Sequence, residues 1–460
     1  MIVDELKTVL SVLDDENRFF RIEGEKTLWF YDSFTHSLYT ADSYVIKELK
    51  RGSHGGVLLN LSIDESFKLF SLSRTLQNSK KDIIPELKSD KKCFAMINTS
   101  NRCNLNCLYC YRNRKDSEIN TYKTIKSSMD YVIEHYKPGA SEYVFSFSMT
   151  SESSVDLGLL KQILNEYCDS PLIRKEKPFI TMWFMTNGTC VKKEFIDFVK
   201  KCKINPLWVS IDGPQKIHDY NRKYRNGKGS YSEVINNIKE FQRNGINLKA
   251  SVVLTSRFPK PLEIINHILS LGFVSMSMTP VRPGTECSFN DNNIVALLEG
   301  YDEVFEELKI TVLNGDYKLF KILREDMILS SFYTFVKRIK KIKRCAFDEQ
   351  LVIDSKGNIY PCLYFTGNKD FCLGNIKNGI DYRKIDFDIY VTHKEKCSLC
   401  WARYLCGGTC FYSSYKTCGN YKATDPIECK IKKHLAIRCL QLVVFFKEHN
   451  ISFESFLFEQ

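Results

Sequence analysis

The sequence predicts an α/β protein built around a partial barrel of six strand-and-helix units, a partial (β/α)6 barrel, with a small N-terminal α+β domain and a C-terminal cysteine-rich domain. Three observations carry that expectation. Apolar segments of strand character recur six times from Cys93 onward, roughly every thirty-five residues, each followed by a stretch of helical periodicity. Residues 1 to 90 contain no cysteine, although the chain holds 18. After Cys345 cysteines crowd together at short spacings. The expected divisions are 1–90, a barrel over 91–285, a helical bridge over 286–344 and the cysteine-rich domain over 345–460.

Length and composition agree. At 460 residues with 43% apolar side chains the chain can bury the cores of two or three domains. Its longest apolar stretch, Leu435 to Phe446, is interrupted by Arg438 and Gln441 and falls short of the ~18 residues of a membrane span. The start, MIVDELKTVL, carries acids early and lacks the basic and apolar regions of a signal peptide, so a cytoplasmic protein with no membrane partner is expected. Reduced thiols are the matching expectation for its cysteines. The formal charge of +11 invites a nucleic-acid reading, but no dense basic tract with interleaved aromatics supports one. The run Lys337 to Arg344, KRIKKIKR, reads as a solvated helix face. No pair among the eight His has ligand spacing.

Within the N-terminal segment, TLWFYDSFTHSLYTADSYVIKELKRG reads as strand, turn, strand and helix. This pattern resembles the small winged-helix element that binds substrate leaders in many peptide-modifying enzymes, where a leader adds a strand to a sheet edge. A plain N-terminal cap is the alternative. Ser79 to Lys92, charged and containing Pro85, reads as the linker.

The barrel strands are expected at Cys93 to Asn98, Tyr143 to Met149, Phe179 to Met185, Leu207 to Ile211, Leu248 to Leu254 and Phe273 to Met278. Between them, Tyr231 to Asn244 places Val234, Ile235, Ile238 and Phe241 on one helix face, with Ser230 and Glu233 as a capping box and Gly245 as the stop. Right-handed crossovers make such a sheet parallel, and its functional groups gather at the carboxyl ends of the strands. Chemistry-bearing residues stand there: the loop TSNRCNLNCLYCYR after strand one, Thr150 to Ser153 after strand two, Thr186, Asn187 and Gly188 after strand three, and SIDGP after strand four.

The loop puts Cys103, Cys107 and Cys110 in CxxxCxxC spacing. Three thiolates are an incomplete set for a four-iron cube, so they either recruit a distant fourth or leave one iron open to a ligand that is not protein, and a zinc site is the alternative use. With Tyr109 just before the last Cys, the loop resembles the signature of the radical S-adenosylmethionine (radical SAM) enzymes. That resemblance implies a 4Fe-4S cluster on the three Cys and S-adenosylmethionine on its open iron. It implies cofactor contacts from Tyr109, Asn187, Ser210, Asp212 and Arg222, the last three matching ribose-contacting positions (Ser210, Asp212) and a basic residue near the methionyl carboxylate (Arg222). The family's GGEP motif survives here only as Glu152, with Thr150, Ser151 and Ser153 in the other places.

Farther on, Cys345 and Cys362 bracket Gly357, and Cys397, Cys400, Cys406, Cys410 and Cys429 follow in CxxCx5CxxxC spacing with a last Cys. This is similar to the SPASM extension of radical SAM peptide maturases, which holds two auxiliary 4Fe-4S clusters. The resemblance assigns Cys397, Cys400, Cys406 and Cys429 to the outer cluster and Cys345, Cys362 and Cys410 to the inner one. The inner cluster's fourth position falls to Cys372, to Cys418 or to no protein group. Paired zinc knuckles are the alternative. Three anionic clusters would offset about −5 of the formal charge. Cys93, Cys168, Cys190, Cys202 and Cys439 sit in apolar segments and read as packing residues.

The resemblance implies a maturase that abstracts hydrogen from a ribosomally made precursor peptide bearing a leader, forms a thioether or carbon-carbon crosslink, and takes electrons from a flavodoxin or ferredoxin. Oxidation of a Ser or Cys in a whole protein, as in sulfatase maturation, is the enzymatic alternative. A zinc-binding interaction scaffold is the non-enzymatic one. No residue is singled out as the general base.

Overall fold

The computed structural model describes residues 18–25, 27–41, 92–111, 120–147, 152, 157–169 and 179–453. Three antiparallel strands come first: β1 Phe19–Glu23, β2 Leu28–Asp32 and β3 Ser37–Ala41. The expected strand, turn and strand are β2, the turn at 33–36 and β3; β1 was not expected. The turn is tied by Asp32, which accepts from the Phe34 N–H at 2.9 Å and from the Arg18 guanidinium at 2.9 and 2.7 Å. The expected helix lies outside the described residues, as does the expected linker except for Lys92, which opens the next strand.

The barrel strands are β4 Lys92–Ile97, β5 Glu142–Ser146, β6 Phe179–Trp183, β7 Met185–Thr186, β8 Leu207–Ser210, β9 Leu248–Leu254 and β10 Ser275–Pro280. All of their pairings are parallel and follow chain order, giving the six-unit partial barrel. Two strands differ in detail from the sequence reading. The third breaks at Phe184, whose carbonyl accepts from the Trp208 N–H at 3.4 Å, so the ladder passes from β5 to β8 in two pieces. The sixth starts late because Gly272, at φ +75°, makes the preceding turn, and Phe273 is buried as part of that turn. Along β9, Leu248, Ala250, Val252 and Leu254 are buried, with half-buried residues between them. That alternation leaves one sheet face to the helices and the other to the lumen.

Six helices follow the strands: α1 Tyr122–Tyr131, α2 Leu157–Asp169, α3 Lys193–Lys201, α4 Gln215–Asn221, α5 Tyr231–Arg243 and α6 Pro261–Ser270. The capping box expected on α5 does not form. Ser230 instead donates to the Arg222 carbonyl at 2.8 Å and meets His218 Nε2 at 3.0 Å, while Glu233 accepts from the Tyr224 hydroxyl. Gly245 does end the helix, at φ +74°.

Helices α7 Ile294–Leu313, α8 Lys318–Ile322 and α9 Ser330–Val336 fill the bridge. The run 337–344 is not a solvated helix face. Arg338 turns left-handed at φ +53°, and the segment then passes along the cysteine-rich part, where Ile342 is buried and Lys343 pairs with Asp348 at 2.9 Å.

In the C-terminal part β11 Gln350–Ile353 adds in parallel to β4, and β12 Asn358–Tyr360, β13 Gly374–Asn375 and β14 Gly379–Ile380 follow antiparallel. Gly357 makes the β11–β12 turn at φ +78°, and a Cβ there would stand 2.9 Å from Ile376 Cγ1, which accounts for the glycine of the Cys345–Cys362 interval. Helices α10 Glu395–Ser398, α11 Arg403–Cys406, α12 Phe411–Cys418 and α13 Pro426–Glu448 complete the described chain. Helix α13 has Pro426 in its first turn and Asp425 as its cap, accepting from the Glu428 N–H at 2.8 Å. The N-terminal sheet packs on this end of the molecule: Ile22 and Tyr31 share a core with Leu405, Ala436, Leu440 and Val444, and Phe20 stacks on Trp401 at 3.9 Å.

The described cysteines are all free thiols. Cys93 and Cys439 are buried as expected, and so is Cys287, which no motif had claimed. Cys190 and Cys202 are half-buried, and the Cys168 side chain lies outside the described residues. No helix among the described residues is long and apolar enough to cross a membrane.

Candidate active site

The loop after β4 is held to the barrel mouth by its own backbone. Asn106 and Leu108 donate to the carbonyls of Lys223 and Asn221 at 2.6 and 2.9 Å, and Leu105 bridges Tyr224. These bonds leave Cys103, Cys107 and Cys110 on the wall of a cavity of about 480 Å³, a size suited to a small-molecule cofactor. Burial pushes the Cys107 thiol up to about 11, while nearby Arg222 acts in the opposite sense.

Beneath the loop lies a buried polar knot. The Tyr109 hydroxyl donates to Asp212 Oδ2 at 2.7 Å and accepts from Arg222 Nη1 at 2.6 Å. Asp212 Oδ1 accepts from the Val253 N–H at 3.2 Å. His218 holds the next layer: its Nδ1 accepts from the Asp212 N–H at 3.4 Å, so Nε2 carries the proton toward Ser230. Burial lowers the His218 pKa well below the usual value, which keeps this ring neutral.

Asp212 thus differs from the sequence expectation. It has no solvent exposure and does not line the cavity, because its oxygens are taken by Tyr109 and Val253. Its position fixes Tyr109 and Arg222 rather than facing a sugar. Ser210, Glu152, Asn187, Tyr109 and Arg222 do line the cavity. Glu152 accepts from Thr186 Oγ1 at 2.7 Å and from the Asn187 N–H at 2.6 Å, and its own N–H donates to the Arg102 carbonyl at 3.1 Å. Asn187 Nδ2 donates to Asn104 Oδ1 at 2.8 Å and lies 3.8 Å from the Cys103 sulfur. Thr150, Ser151 and Ser153 lie outside the described residues.

The opposite cavity wall comes from farther along the chain: Val281 and Arg282 after β10, and Leu363 and Tyr364 after Cys362. Tyr111 and Tyr364 meet across the gap with ring centroids 4.6 Å apart. Sequence reasoning missed this wall and the lumen residues Trp183 and Trp208. Arg282 stands just past the sixth strand, where the strand-end rule applied to strands one to four would have found it.

The C-terminal thiols separate into two sets. Burial raises Cys397, Cys400 and Cys429, the last to about 11, and the charge of Cys406 raises each further. Burial likewise raises Cys362, to about 12, and Cys345, and the charge of Cys410 raises both further. Cys372 belongs to neither arrangement: its thiol donates to the Gly374 carbonyl at 3.4 Å and packs beside Tyr360 and Leu363. Cys418 stands near the first set, because Thr424 meets both its thiol and that of Cys397 at 3.7 Å. Among the described residues no group of three or more His, Cys, Asp or Glu is disposed to hold a metal ion.

Buried cations surround these thiols. Lys394 is 5% exposed, its Nζ has no hydrogen-bond partner among the described residues, and it lies 4.4 Å over the Phe411 ring. Burial lowers its pKa, and Cys397, Cys345, Glu428 and Cys406 oppose that effect, so the ammonium sits between the two sets. Lys432 donates to the carbonyls of Cys406 and Gly408. An unpaired buried cation among thiols is costly alone and suits an anionic group held by thiolates.

Residues 97–266 match the radical SAM superfamily. The chain carries a radical SAM domain. That domain spans the cysteine loop, Glu152, Asn187, Ser210 and the Tyr109–Asp212–Arg222 knot. The chain is 24% identical over 295 residues to an uncharacterised protein of Methanocaldococcus jannaschii, covering 63% of this chain and 91% of that one. It is 21% identical over 339 residues to the cysteine-type anaerobic sulfatase-maturating enzyme of Clostridium novyi, covering 68% and 85%. In fold it resembles the crystal structure of anSMEcpe with bound AdoMet and Cp18Cys peptide, with a TM-score of 0.62, 19% identity and coverage of 78% of this chain and 100% of that one. The chain is thus similar to an anaerobic sulfatase-maturating enzyme over about two thirds of its length.

Proposed function

We propose that the chain is a radical SAM peptide maturase with three 4Fe-4S clusters. One observation carries the reading: a single cavity is walled on one side by the Cys103, Cys107 and Cys110 loop and on the other by the segment that follows Cys362. A cofactor at the loop and a peptide between the walls would lie beside both cysteine centres. With S-adenosylmethionine on its open iron, the first cluster would supply the 5′-deoxyadenosyl radical that removes a substrate hydrogen atom. The residues here position and enclose it. Glu152, Ser210 and Asn187 offer polar contacts from the lumen, and Asp212 holds Tyr109 and Arg222 in place from behind.

In this reading Cys397, Cys400, Cys406 and Cys429 hold an outer cluster, and Cys345, Cys362 and Cys410 an inner one with an open side. The engagement of Cys372 with Gly374 and the position of Cys418 near Cys397 support that openness. The unpaired Lys394 supports anionic occupants. Residues 1–90 would bind the leader of a ribosomally made precursor, and a flavodoxin or ferredoxin of the cytoplasm would supply electrons. The product would be a thioether or carbon-carbon crosslink.

The test is anaerobic incubation with S-adenosylmethionine, dithionite and a Cys-rich peptide encoded beside the gene. Loss of two hydrogens from the peptide is expected, with its cysteine thiol consumed in a thioether and retained in a carbon-carbon crosslink. The relatedness to sulfatase-maturating enzymes favours a second reading, oxidation of Ser or Cys to an aldehyde. A hydrazide probe that labels the product would select it. A preparation containing zinc without iron or sulfide would reject both.

A further inference from the structure

Positive charge collects on the rim of the barrel beyond β8 and β9. The segments 220–228, YNRKYRNGK, and 255–260, TSRFPK, hold six cations and no acid. Arg222 is buried in the knot and Lys260 pairs with Glu263 at 3.6 Å, whereas Lys223, Arg225, Lys228 and Arg257 have no ion-pair partner among the described residues. Acids on neighbouring segments are engaged: Asp219 Oδ1 accepts from the Tyr231 N–H at 2.8 Å, and Glu233 holds the Tyr224 hydroxyl. Other exposed cations of the barrel do pair, Lys126 with Asp130 at 3.0 Å and Arg243 with Glu240 at 3.4 Å. The rim is also aromatic. Tyr220, 37% exposed, packs edge-on against Phe258 with ring centroids 5.3 Å apart, and Lys223 Nζ and the Arg257 guanidinium carbon stand 5.7 and 5.9 Å from its own centroid. The cysteine loop borders this rim, since Asn106 and Leu108 donate to the carbonyls of Lys223 and Asn221.

Arg225 joins the rim to the cavity. It is exposed, it lines the cavity wall, and its Nη2 donates to the Cys103 carbonyl at 3.3 Å, its one hydrogen bond among the described residues. The strand residues that line the lumen, Trp183, Trp208, Ser251 and Ser277, are uncharged. An occupant that reaches from rim to lumen is therefore acidic outside and neutral inside. A peptide can be charged along one stretch and neutral along the next, whereas a nucleic acid is charged at every phosphate, and a folded carrier is too large for a cavity of about 480 Å³. Unpaired like charges on a rim draw in an oppositely charged partner, and an exposed Tyr with Arg beside it is the composition of a binding anchor. We propose that the rim formed by Tyr220, Lys223, Arg225 and Arg257 binds an acidic stretch of the peptide substrate, next to the neutral stretch that enters the cavity. This rests on the reading of the chain as a peptide maturase.

The test uses iron-reconstituted, full-length protein under anaerobic conditions and fluorescence anisotropy with labelled synthetic peptides. One peptide has a run of glutamates followed by a neutral stretch, and two others carry glutamines or lysines in place of the glutamates. Wild type should bind the glutamate peptide with an affinity that falls as salt rises, should bind the glutamine peptide about tenfold more weakly, and should reject the lysine peptide. Lys223→Gln with Arg257→Gln should weaken the glutamate peptide about tenfold, the scale of two exposed ion pairs, and leave the glutamine peptide as it was. Lys223→Glu with Arg257→Glu should reverse the preference in favour of the lysine peptide, which a merely structural role of these residues would not produce. Should that double variant fail to fold, Arg257→Glu alone, at an exposed position, decides by the same comparison. Equal affinity of wild type for the glutamate and glutamine peptides, or glutamate binding unchanged in the variants, would overturn the role of the rim and leave the maturase reading to its own test. A charge swap as expected, with no modified product from the precursor, would uphold the rim as an acidic-peptide site and overturn the maturase reading instead. A single-stranded oligoribonucleotide that outcompetes the glutamate peptide, or a flavodoxin whose reduction of the protein slows in the charge-reversed variant while peptide affinity stays unchanged, would assign the rim to that partner and reject the proposal.

Discussion

The two cysteine regions are built in opposite ways. In the first, three thiols sit within eight residues on one loop, half-buried, and their support comes from backbone bonds and from the knot beneath. In the second, seven thiols come from segments spread between Cys345 and Cys429, five of them (Cys345, Cys362, Cys397, Cys400 and Cys429) are raised by burial, and buried lysines stand among them. A local loop beside a cavity can exchange what it binds without disturbing the core. A dispersed set draws together the segments flanking β11 and β12 and the long helix α13, so whatever it bound would also staple the fold. The difference teaches that the same ligand type can serve an exchangeable cofactor or a structural one, according to how far apart in sequence its members lie.

That contrast is open to direct attack. The largest effect is expected from replacing Cys103, Cys107 and Cys110 together with Ala: 5′-deoxyadenosine formation with dithionite should fall to background, while circular dichroism and the melting temperature stay close to wild type. Persistent cleavage would move the cofactor site to another set of thiols, and unfolding would erase the contrast.

Next comes Cys406→Ala, which should cost iron and also stability. A loss of a few kcal/mol corresponds to a fall of about 10 °C in the melting temperature, by the usual 2–4 °C per kcal/mol for a domain of this size. Scanning calorimetry of both loaded proteins settles it, and an unshifted transition would mean that the dispersed thiols are not structural.

Tyr109→Phe probes the knot. Without the hydroxyl, Asp212 Oδ2 and Arg222 Nη1 each lose a buried partner, which should cost about 1–3 kcal/mol by denaturant titration. A smaller change would show that water or the remaining Arg222–Asp212 approach compensates.

Deleting residues 1–90 should weaken precursor binding while leaving uncoupled cofactor cleavage, because the described strands pack on α13 and Trp401 rather than on the barrel. Unchanged affinity for the precursor, measured by calorimetry, would make the segment a structural cap.

The smallest effect is a pH dependence of that packing. Burial, with Lys340 and Lys341, lowers His36 from 6.5 to about 4. The folded state therefore favours the neutral ring. Its contribution is fully present above pH 6.5 and is lost as the pH falls through about 4. Tryptophan fluorescence should report this loss through Trp401, stacked on Phe20, and His36→Phe should flatten the profile.

Much of this was legible in the sequence. Alternating apolar segments fix parallel strands and their order, because period and crossover hand leave few choices, and CxxxCxxC fixes a thiol trio whose members are too close in sequence to be far apart in space. Gly245 could be read as a helix stop because glycine takes a positive φ without strain, whereas Gly357 stood out only by its place between Cys345 and Cys362. What stayed hidden depends on contacts between distant segments. Ser230 looked like a cap until His218 and Arg222 claimed its hydroxyl, and Asp212 looked like a ligand contact until Tyr109 and Val253 took its oxygens. The basic run 337–344 looked solvated because its pattern says nothing of the acids brought to it by folding. Local propensity and spacing are written along the chain; which polar group meets which is decided by packing, since a buried hydrogen-bonding group takes whatever partner the fold brings within reach.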